Sequence, residues 1–360
     1  MRRLTVNLIE EGMYLARSIK SADGRVLLQA GQRLDERYIK RLRGMGVYIV
    51  YVEDKRLDDV IVEDLVRDET RNEGVQLAKH LVKLAGKSIS PATINDKIAD
   101  RISAMTHQIV NEILGNKNLV VNLQDIRTSN DYLYFHSVNV CVLSVILGTV
   151  LKLKEEQLND LGSGGLLHDF GKLVVPDYIA EKAGPLDKDE MEIMRRHPQL
   201  GFDALRGNPN VKLLWAHIAL QHHEWHNGLG YPRGLKADDI HLYGKIAGIA
   251  DVYDALTSER CYRPVPFLPH EAMEFIYASS GTQFDPKIVS AFARNIAIYP
   301  LGSTLLLSDG SRGVVIDVNI DCITRPKLRI IEDENGAPLA DPFEVNLEDE
   351  LTLFIKKVLS

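Results

Sequence analysis

The chain has 360 residues, enough for two or three domains, and 45% of them are hydrophobic, which excludes global disorder. Lysine and arginine number 43 against 50 acidic residues, so the net charge is −7 at pH 7. This balance argues against broad binding to a DNA or RNA polymer or to an anionic membrane, because both need a basic protein face.

Residues 1–54 are predicted to form a small α+β unit. Two short apolar runs flank Ala22-Asp23-Gly24, a sequence typical of a hairpin turn. An amphipathic helix is predicted over about 35–43, and the apolar run 47–52 predicts a strand. We interpret this unit as an accessory domain, either structural or regulatory.

Residues 55–125 are polar and are predicted to be a mostly helical linker region. Ser90-Pro91 is a favourable helix start, since serine caps the first turn and proline fits its first position. From Ile94 to Ile113 an apolar residue recurs every three or four positions, and Gly115 ends the pattern. We interpret this stripe as an intramolecular core face, with the seam of a homodimer as the alternative.

Residues 126–296 are predicted to be almost entirely helical. The apolar run 140–151 is shorter than the roughly 20 residues that span a bilayer, and the N-terminus has no apolar signal segment. We therefore expect a core helix, no membrane insertion and a cytoplasmic protein. The predicted helices lie near 130–151, 155–172, 188–206, 211–223, 242–257 and 285–296.

After Pro300 the apolar pattern changes to a period of two, which is typical of strands. Residues 297–360 are thus predicted to be a small β-rich accessory unit. The expected fold class is mainly α, with a multi-helix domain over 126–296 between the two small end units. The predicted strands are 303–307, 313–319 and 327–331, with turns at Asp309-Gly310 and Asn335-Gly336.

Histidine usage indicates a metal site. Eight of the 11 histidines lie within residues 136–241, and imidazole is the commonest metal ligand near neutral pH. The three cysteines are far apart and form no CxxC pair, so we expect neither a thiolate zinc site nor a disulfide framework. Imidazole and carboxylate ligands without thiolates favour iron, manganese or zinc over copper or a cluster.

The adjacent pair His168-Asp169 is the most informative feature of this region. Neighbouring residues on a helix point about 100° apart, so both can reach one ion only at an inward-facing edge. A carboxylate has two oxygens and can therefore bridge two metals. Two metals about 3.5–4 Å apart generate hydroxide at neutral pH and stabilise a displacement at phosphorus.

Five blocks of the helical region resemble the motifs of HD-GYP proteins, within the HD phosphohydrolase superfamily. The resemblance implies hydrolysis of the bacterial second messenger cyclic di-GMP to pGpG, GMP or both, through a hydroxide that bridges two metals. It also implies two divalent ions, iron or manganese first, with zinc, nickel and magnesium as alternatives. The blocks are DYLYFHS (131–137), LLHDFGK (166–172), IMRRHP (193–198), HHEWHNGLGYP (222–232) and DVYDALTSERCYR (251–263).

The resemblance also implies a role for each matched residue. Asp169 would be catalytic as the bridge between the ions, and Lys172 would be catalytic by meeting a phosphate oxygen of the substrate. Arg260 and Arg263 would contact the other phosphate or the guanine edges, and Gly230 and Tyr231 would lie in a loop at the mouth of the site. The metal ligands would be His136, His168, Asp169 and Asp251 around one ion, and Asp169, His197, His222 and His223 around the other.

Three further positions matter for the expected site. Glu224 and Asp254 are expected to support the ligands rather than to bind metal. Trinuclear HD-GYP proteins carry a glutamate four residues before the first histidine, where this chain has Tyr132. A neutral phenol, with a pKa near 10, is a poor metal ligand at pH 7, so we predict two ions rather than three.

Two alternatives to cyclic di-GMP hydrolysis remain open. One is hydrolysis of another cyclic dinucleotide, and the other is a non-catalytic sensor in which occupancy of the site alters the flanking domains. Lys172, Arg260 and Arg263 could also be solvated surface residues. Cyclic di-GMP is the expected partner, and a homodimer or contact with a diguanylate cyclase or another signalling protein are further hypotheses.

Overall fold

The computed structural model describes the chain apart from short segments, and it divides into two units. The helical unit comprises Leu65–Leu119 and Asp131–Ala293, while the described residues of the terminal unit lie in Met1–Asp64 and Arg294–Ser360. The segments outside the description are 22–24, 63, 86–88, 90–92, 117–131, 181, 183, 259–264, 320–321 and 360, together with the side chains of 85 and 132.

The two ends of the chain belong to one unit, whereas the sequence suggested separate accessory units over 1–54 and 297–360. Tyr51 and Leu57 from the N-terminal part share a buried cluster with Val314 and Ile331 from the C-terminal part. The difference arises because sequence periodicity shows which residues are apolar but not which distant residues cover them.

The N-terminal part of the terminal unit contains two small antiparallel sheets and one helix. Asp35 caps the helix by accepting a hydrogen bond from the Tyr38 amide, which agrees with the helix predicted over 35–43. The predicted turn at Ala22-Asp23-Gly24 lies outside the described residues. The elements are β1 (Arg2–Thr5), β2 (Ile19–Lys20), β3 (Val26–Leu28), α1 (Glu36–Gly44) and β4 (Ile49–Val52), with β1 paired to β4 and β2 to β3.

The C-terminal part is a five-stranded antiparallel sheet, two strands more than predicted. The additional strands are Pro338–Asn346, which contains Pro338 and Pro342, and the short strand Ile355–Val358. Both lie at sheet edges, where proline and little apolar character are tolerated. The strands are β5 (Thr304–Leu307), β6 (Arg312–Asp317), β7 (Lys327–Glu332), β8 (Pro338–Asn346) and β9 (Ile355–Val358), in the order β8-β7-β6-β5-β9.

The helical unit confirms the mainly α fold class. Two predicted helices are interrupted: the one over 155–172 ends at Leu167, and the one over 188–206 restarts at His197. The helices over Asp177–Ala180 and Pro269–Ala278 were not predicted. The helices are α2 (Asp68–Ala85), α3 (Asp96–Leu114), α4 (Tyr132–Val150), α5 (Glu155–Leu167), α6 (Asp177–Ala180), α7 (Lys188–Met194), α8 (His197–Arg206), α9 (Leu213–Gln221), α10 (Leu242–Thr257), α11 (Pro269–Ala278) and α12 (Pro286–Ala293).

Helix α4 forms the centre of this unit and packs against α2, α3, α5 and α10. Its segment Leu133–Val150 is long and apolar enough to cross a membrane, but 72% of that segment is buried inside the protein. This agrees with the predicted core helix. The apolar stripe of α3 is likewise buried within the unit, from Ile98 to Ile113, so it is core rather than a free seam. Asn95 caps α3, and the predicted start at Ser90-Pro91 lies outside the described residues.

Candidate metal centre

The His168-Asp169 pair lies where α5 ends. His168 is the C-terminal cap of α5, and Asp169 has already left the helical conformation, with φ −95° and ψ 11°. A short 3₁₀ helix, Phe170–Val174, follows. Because the helix ends between them, both side chains reach the same centre, and His168 Nε2 lies 3.3 Å from Asp169 Oδ2. The predicted continuous helix through residue 172 would have pointed them further apart.

The two carboxylate oxygens of Asp169 face two different sets of histidines. Oδ2 lies 3.3 Å from His168 Nε2 and 3.7 Å from His136 Nε2. Oδ1 lies 3.3 Å from His197 Nε2 and 3.7 Å from His222 Nε2. The carboxylate therefore has the arrangement that a bridge between two ions requires.

Asp251, on α10, completes the cluster from the opposite side. Its Oδ1 lies 3.1 Å from His136 Nε2 and 3.9 Å from His168 Nε2, and its Oδ2 lies 3.9 Å from His223 Nδ1. The seven predicted ligands thus converge in one place, although they come from separate elements. They form two groups whose ligand atoms lie within 4.8 Å of one another: His136, His168 and Asp251, and Asp169, His197, His222 and His223.

Backbone carbonyls orient three of the imidazoles. In His168, His197 and His222, Nδ1 donates to the carbonyl oxygen three residues earlier, at 2.8, 2.8 and 2.9 Å. Since a carbonyl only accepts, Nδ1 is the donor in each ring, and Nε2 is left to face the cluster. This is how ligand histidines are normally held.

His136 is oriented by a carboxylate instead. Its Nδ1 donates to Asp254 Oδ2 at 2.7 Å, and Asp254 lies one turn after Asp251 on α10. The structure therefore places Asp254 in the supporting position predicted for it. Burial alone would lower the pKa of His136, but hydrogen bonds to Asp251 and Asp254 raise it above its ordinary value.

Burial keeps two of the other histidines neutral. It lowers the pKa of His197 to about 3, with a smaller contribution from the nearby Lys172 ammonium. Burial, followed by the proximity of His222, also holds the pKa of His223 well below its ordinary value. Neutral imidazoles are the form that binds metal, so this pair has the required protonation state at pH 7.

The two carboxylates are ionised despite their burial. Burial would raise the pKa of Asp169, but the charges of His168 and Lys172 hold it well below its ordinary value. Burial would likewise raise the pKa of Asp251, and the hydrogen bond and charge of His136 keep it well below that value. The centre is therefore a buried cluster of ionised carboxylates and imidazole nitrogens, which suits a divalent cation.

Two buried atoms at the centre, His168 Nε2 and Asp169 Oδ1, have no hydrogen-bond partner among the residues that the structure describes. Orphaned buried polar atoms are costly, and a bound cation would satisfy both. The residues present therefore fit a divalent metal with nitrogen and oxygen ligands.

Lys172 lies on the 3₁₀ helix directly after the pair. Its Nζ is 2.5 Å from Asp169 Oδ2, and its side chain is 23% exposed. Gly171 allows this position, because a Cβ there would lie 1.9 Å from the carbonyl oxygen of His197. The lysine is thus held at the edge of the cluster, and its predicted contact with a phosphate stays a prediction.

The loop after His223 covers one side of the cluster. The ring of Tyr231 stacks on His223 at 4.7 Å between centroids, and the Tyr231 amide donates to the His223 carbonyl. Burial raises the pKa of Tyr231, so its phenol stays protonated. A Cβ at Gly230 would lie 2.2 Å from the Trp225 amide nitrogen, so only glycine fits the loop there. Gly228 has a φ of +83°, as a glycine at a turn permits.

Glu224 supports this loop and not a histidine. Its two oxygens accept from the backbone amides of Arg233 and Leu235, each at 2.8 Å. A supporting role was predicted for Glu224, and the group that Glu224 supports is the loop backbone. Arg195 was not predicted to be near the site, and its guanidinium lies 5.4 Å from the centre of the Tyr231 ring. No motif spacing pointed to that contact.

Two parts of the predicted site lie outside the described residues. Arg260 and Arg263 belong to the segment 259–264, so their contacts with substrate stay predictions. Tyr132 begins α4, but its side chain is not described. The prediction of two ions rather than three therefore rests on the sequence at that position.

Known proteins resemble this chain in sequence and in fold. Residues 113–288 match the family profile described as an HD domain, and residues 304–360 match one described as a KOW domain associated with HD domain. The chain is 36% identical to a cyclic di-GMP phosphodiesterase of Pseudomonas aeruginosa over 245 residues, which is 68% of this chain and 57% of that protein. It is 41% identical to a cyclic di-GMP phosphodiesterase response regulator of Xanthomonas campestris over 148 residues, 41% of this chain and 39% of that protein.

The chain thus spans about half the length of these curated relatives. A solved structure is also similar, that of an HDG"Y"P protein from Bdellovibrio bacteriovorus. It has a TM-score of 0.53 and 18% sequence identity, over 81% of this chain and 97% of that one. This likeness supports the fold of the chain.

Proposed function

The chain contains an HD domain of the HD-GYP/HD phosphohydrolase family, and we propose that it is a metal-dependent phosphodiesterase that hydrolyses cyclic di-GMP to pGpG, GMP or both. One observation carries the proposal: the two oxygens of the buried Asp169 carboxylate face two different sets of histidines. The relatives named cyclic di-GMP phosphodiesterases support the substrate.

The proposed cofactor is a pair of divalent ions, iron or manganese, with zinc, nickel or magnesium as alternatives. One group, His136, His168 and Asp251, would hold the first ion together with Asp169 Oδ2. Asp169 Oδ1 would hold the second ion with His197, His222 and His223. The short distances within each group and the neutral histidines of the second group support this assignment.

Two such ions supply a hydroxide nucleophile at neutral pH and stabilise both oxygens of a displacement at phosphorus, in line with the leaving 3′ oxygen. Asp169 would contribute the shared ligand, and its low pKa keeps it charged for this role. Lys172, at the edge of the cluster, offers its ammonium group to a phosphate oxygen of the substrate. Lysine binds phosphate as a compact point charge, which suits this role.

The second phosphate and the bases need contacts away from the ions. We assign these to Arg260 and Arg263, and to Gly230 and Tyr231 in the loop beside His223. Support for the loop comes from the stacking of Tyr231 on His223, which places an aromatic surface next to the cluster. A cytoplasmic location, a homodimer and contact with another signalling protein belong to the same proposal.

Turnover of a substrate panel tests the function. The full chain, loaded with Mn²⁺ or anaerobically with Fe²⁺, is incubated with cyclic di-GMP, cyclic GMP-AMP and cyclic di-AMP, and products are separated by chromatography. We expect cyclic di-GMP to give pGpG or GMP, and Asp169→Ala to be inactive. Binding of cyclic di-GMP without turnover would contradict the enzyme and favour a non-catalytic sensor. Faster turnover of another cyclic dinucleotide would show that cyclic di-GMP is not the preferred substrate.

A further inference from the structure

A chain of buried hydrogen bonds connects His136 to helix α2. Asp254 Oδ2 accepts from His136 Nδ1 at 2.7 Å, and Asp254 Oδ1 accepts from Asn139 Nδ2 at 2.6 Å. Asn139 Oδ1 in turn accepts from Arg71 Nη1 at 3.1 Å. All four residues are at most 8% exposed, so these contacts are shielded from bulk water. We call this set of four residues the His136 relay.

The middle of the His136 relay has a fixed polarity. Arg71 can only donate, and an ionised Asp254 can only accept. Asn139 must therefore turn its oxygen to Arg71 and its amide nitrogen to Asp254. Its side chain joins a donor to an acceptor, which neither aspartate nor leucine of similar size can do.

The relay also balances charge in the interior. Arg71 is 8% exposed and Asp254 is 1% exposed, and an uncompensated buried charge is costly. The amide of Asn139 lies between the two opposite charges and bonds to both. With Asp254 held in this way, the His136 ring is fixed with Nε2 towards Asp251 and Asp169.

We infer that Arg71 and Asn139 are positioning residues for His136, so that helix α2 is part of the support of the metal centre. Arg71 precedes residues 113–288, which match the HD domain profile. Its helix α2 lies in the region 55–125, which the sequence predicts to be a linker. The inference rests on the proposed metal centre. It means that a displacement of α2 changes how His136 is held, and with it the affinity for metal.

Mn²⁺ binding to the full, metal-free chain tests the inference by isothermal titration calorimetry. We expect Asn139→Leu to weaken one of the two sites about 10–100-fold, as loss of a partner behind a ligand histidine typically does. Arg71→Met should weaken the same site, and the double variant should lose less affinity than the two single losses together, because Asn139 links Arg71 to Asp254. Arg71→Lys should restore most of the affinity.

Asn208→Ala is the matched control. Asn208 is 4% exposed and donates to the Ile94 carbonyl at 2.6 Å, so its loss removes a comparable buried hydrogen bond away from the His136 relay. We expect it to lower the unfolding temperature and leave Mn²⁺ affinity unchanged. Circular dichroism of each metal-free variant reports its fold.

The outcomes separate the two proposals. Wild-type affinity in folded Asn139→Leu and Arg71→Met, or additive losses in the double variant, would overturn the inference and leave the metal centre intact. A wild-type chain that binds no Mn²⁺ or Fe²⁺ would overturn the proposed metal centre itself. If Asn139→Leu does not fold, the comparison of Arg71→Met with Arg71→Lys decides, since equal affinities would contradict the relay.

Discussion

Replacing Gly171 with alanine tests the close approach that builds the centre. A Cβ at this position would lie 1.9 Å from the His197 carbonyl oxygen and 2.6 Å from the Gly201 nitrogen. Ordinary contact begins at 3.4 Å, so the 3₁₀ helix and α8 must separate by about 1.5 Å. Both obstacles are backbone atoms that no change of rotamer can move.

The expected cost is about 3 kcal/mol, the upper part of the range for overpacking, because the clash is with backbone. The shift would also lengthen the distance of 3.3 Å between Asp169 Oδ1 and His197 Nε2. We therefore expect weaker Mn²⁺ binding at one site and slower turnover, together with the loss of stability.

Tryptophan fluorescence during urea unfolding measures this cost in the helical unit, because Trp215 and Trp225, the two tryptophans of the chain, both lie there. Gly184→Ala is the matched control, since a Cβ at Gly184 meets nothing within 4 Å. A Gly171→Ala variant as stable as Gly184→Ala, with unchanged Mn²⁺ binding, would refute the reasoning.

Four other predictions concern the proposed site. Asp169→Ala should lose both ions together and all activity, whereas His197→Ala should mainly weaken one; metal analysis that finds two ions in Asp169→Ala would show that the carboxylate does not bridge. Arg260→Ala should raise KM and leave metal content unchanged, and unchanged kinetics would place this arginine on the surface. At saturating Mn²⁺ the chain should bind close to two ions, and Tyr132→Glu should create a third site; three ions in the wild type would contradict this. Because burial lowers the pKa of His197 to about 3, the unfolded chain takes up a proton near pH 6.5 that the folded, metal-free chain does not. Its stability should therefore fall as the pH drops from about 6.5 towards 3, and a stability that rises over this range in urea unfolding would contradict the shift.

The sequence by itself determined most of the helices and strands and the residue types of the candidate site. Helix α10 was predicted over 242–257, its observed bounds, because apolar residues recur there with a helical period. The candidate metal ligands could be predicted because histidines and carboxylates clustered in one region are typical of a metal site. The five sequence blocks that contain them also occur in the same order as the HD-GYP motifs. The strands at 303–307 and 327–331 followed from alternation in the same way.

Only the tertiary structure decided how these groups are held. The helix ends after Leu167, so that His168 and Asp169 reach one centre, and Gly171 then lies directly against the His197 carbonyl. The link from His136 to Arg71 joins residues 65 positions apart, and the shared core of the two chain ends joins residues further apart still. Local periodicity does not predict such contacts, because burial and hydrogen bonding between distant segments exist only once the chain has folded.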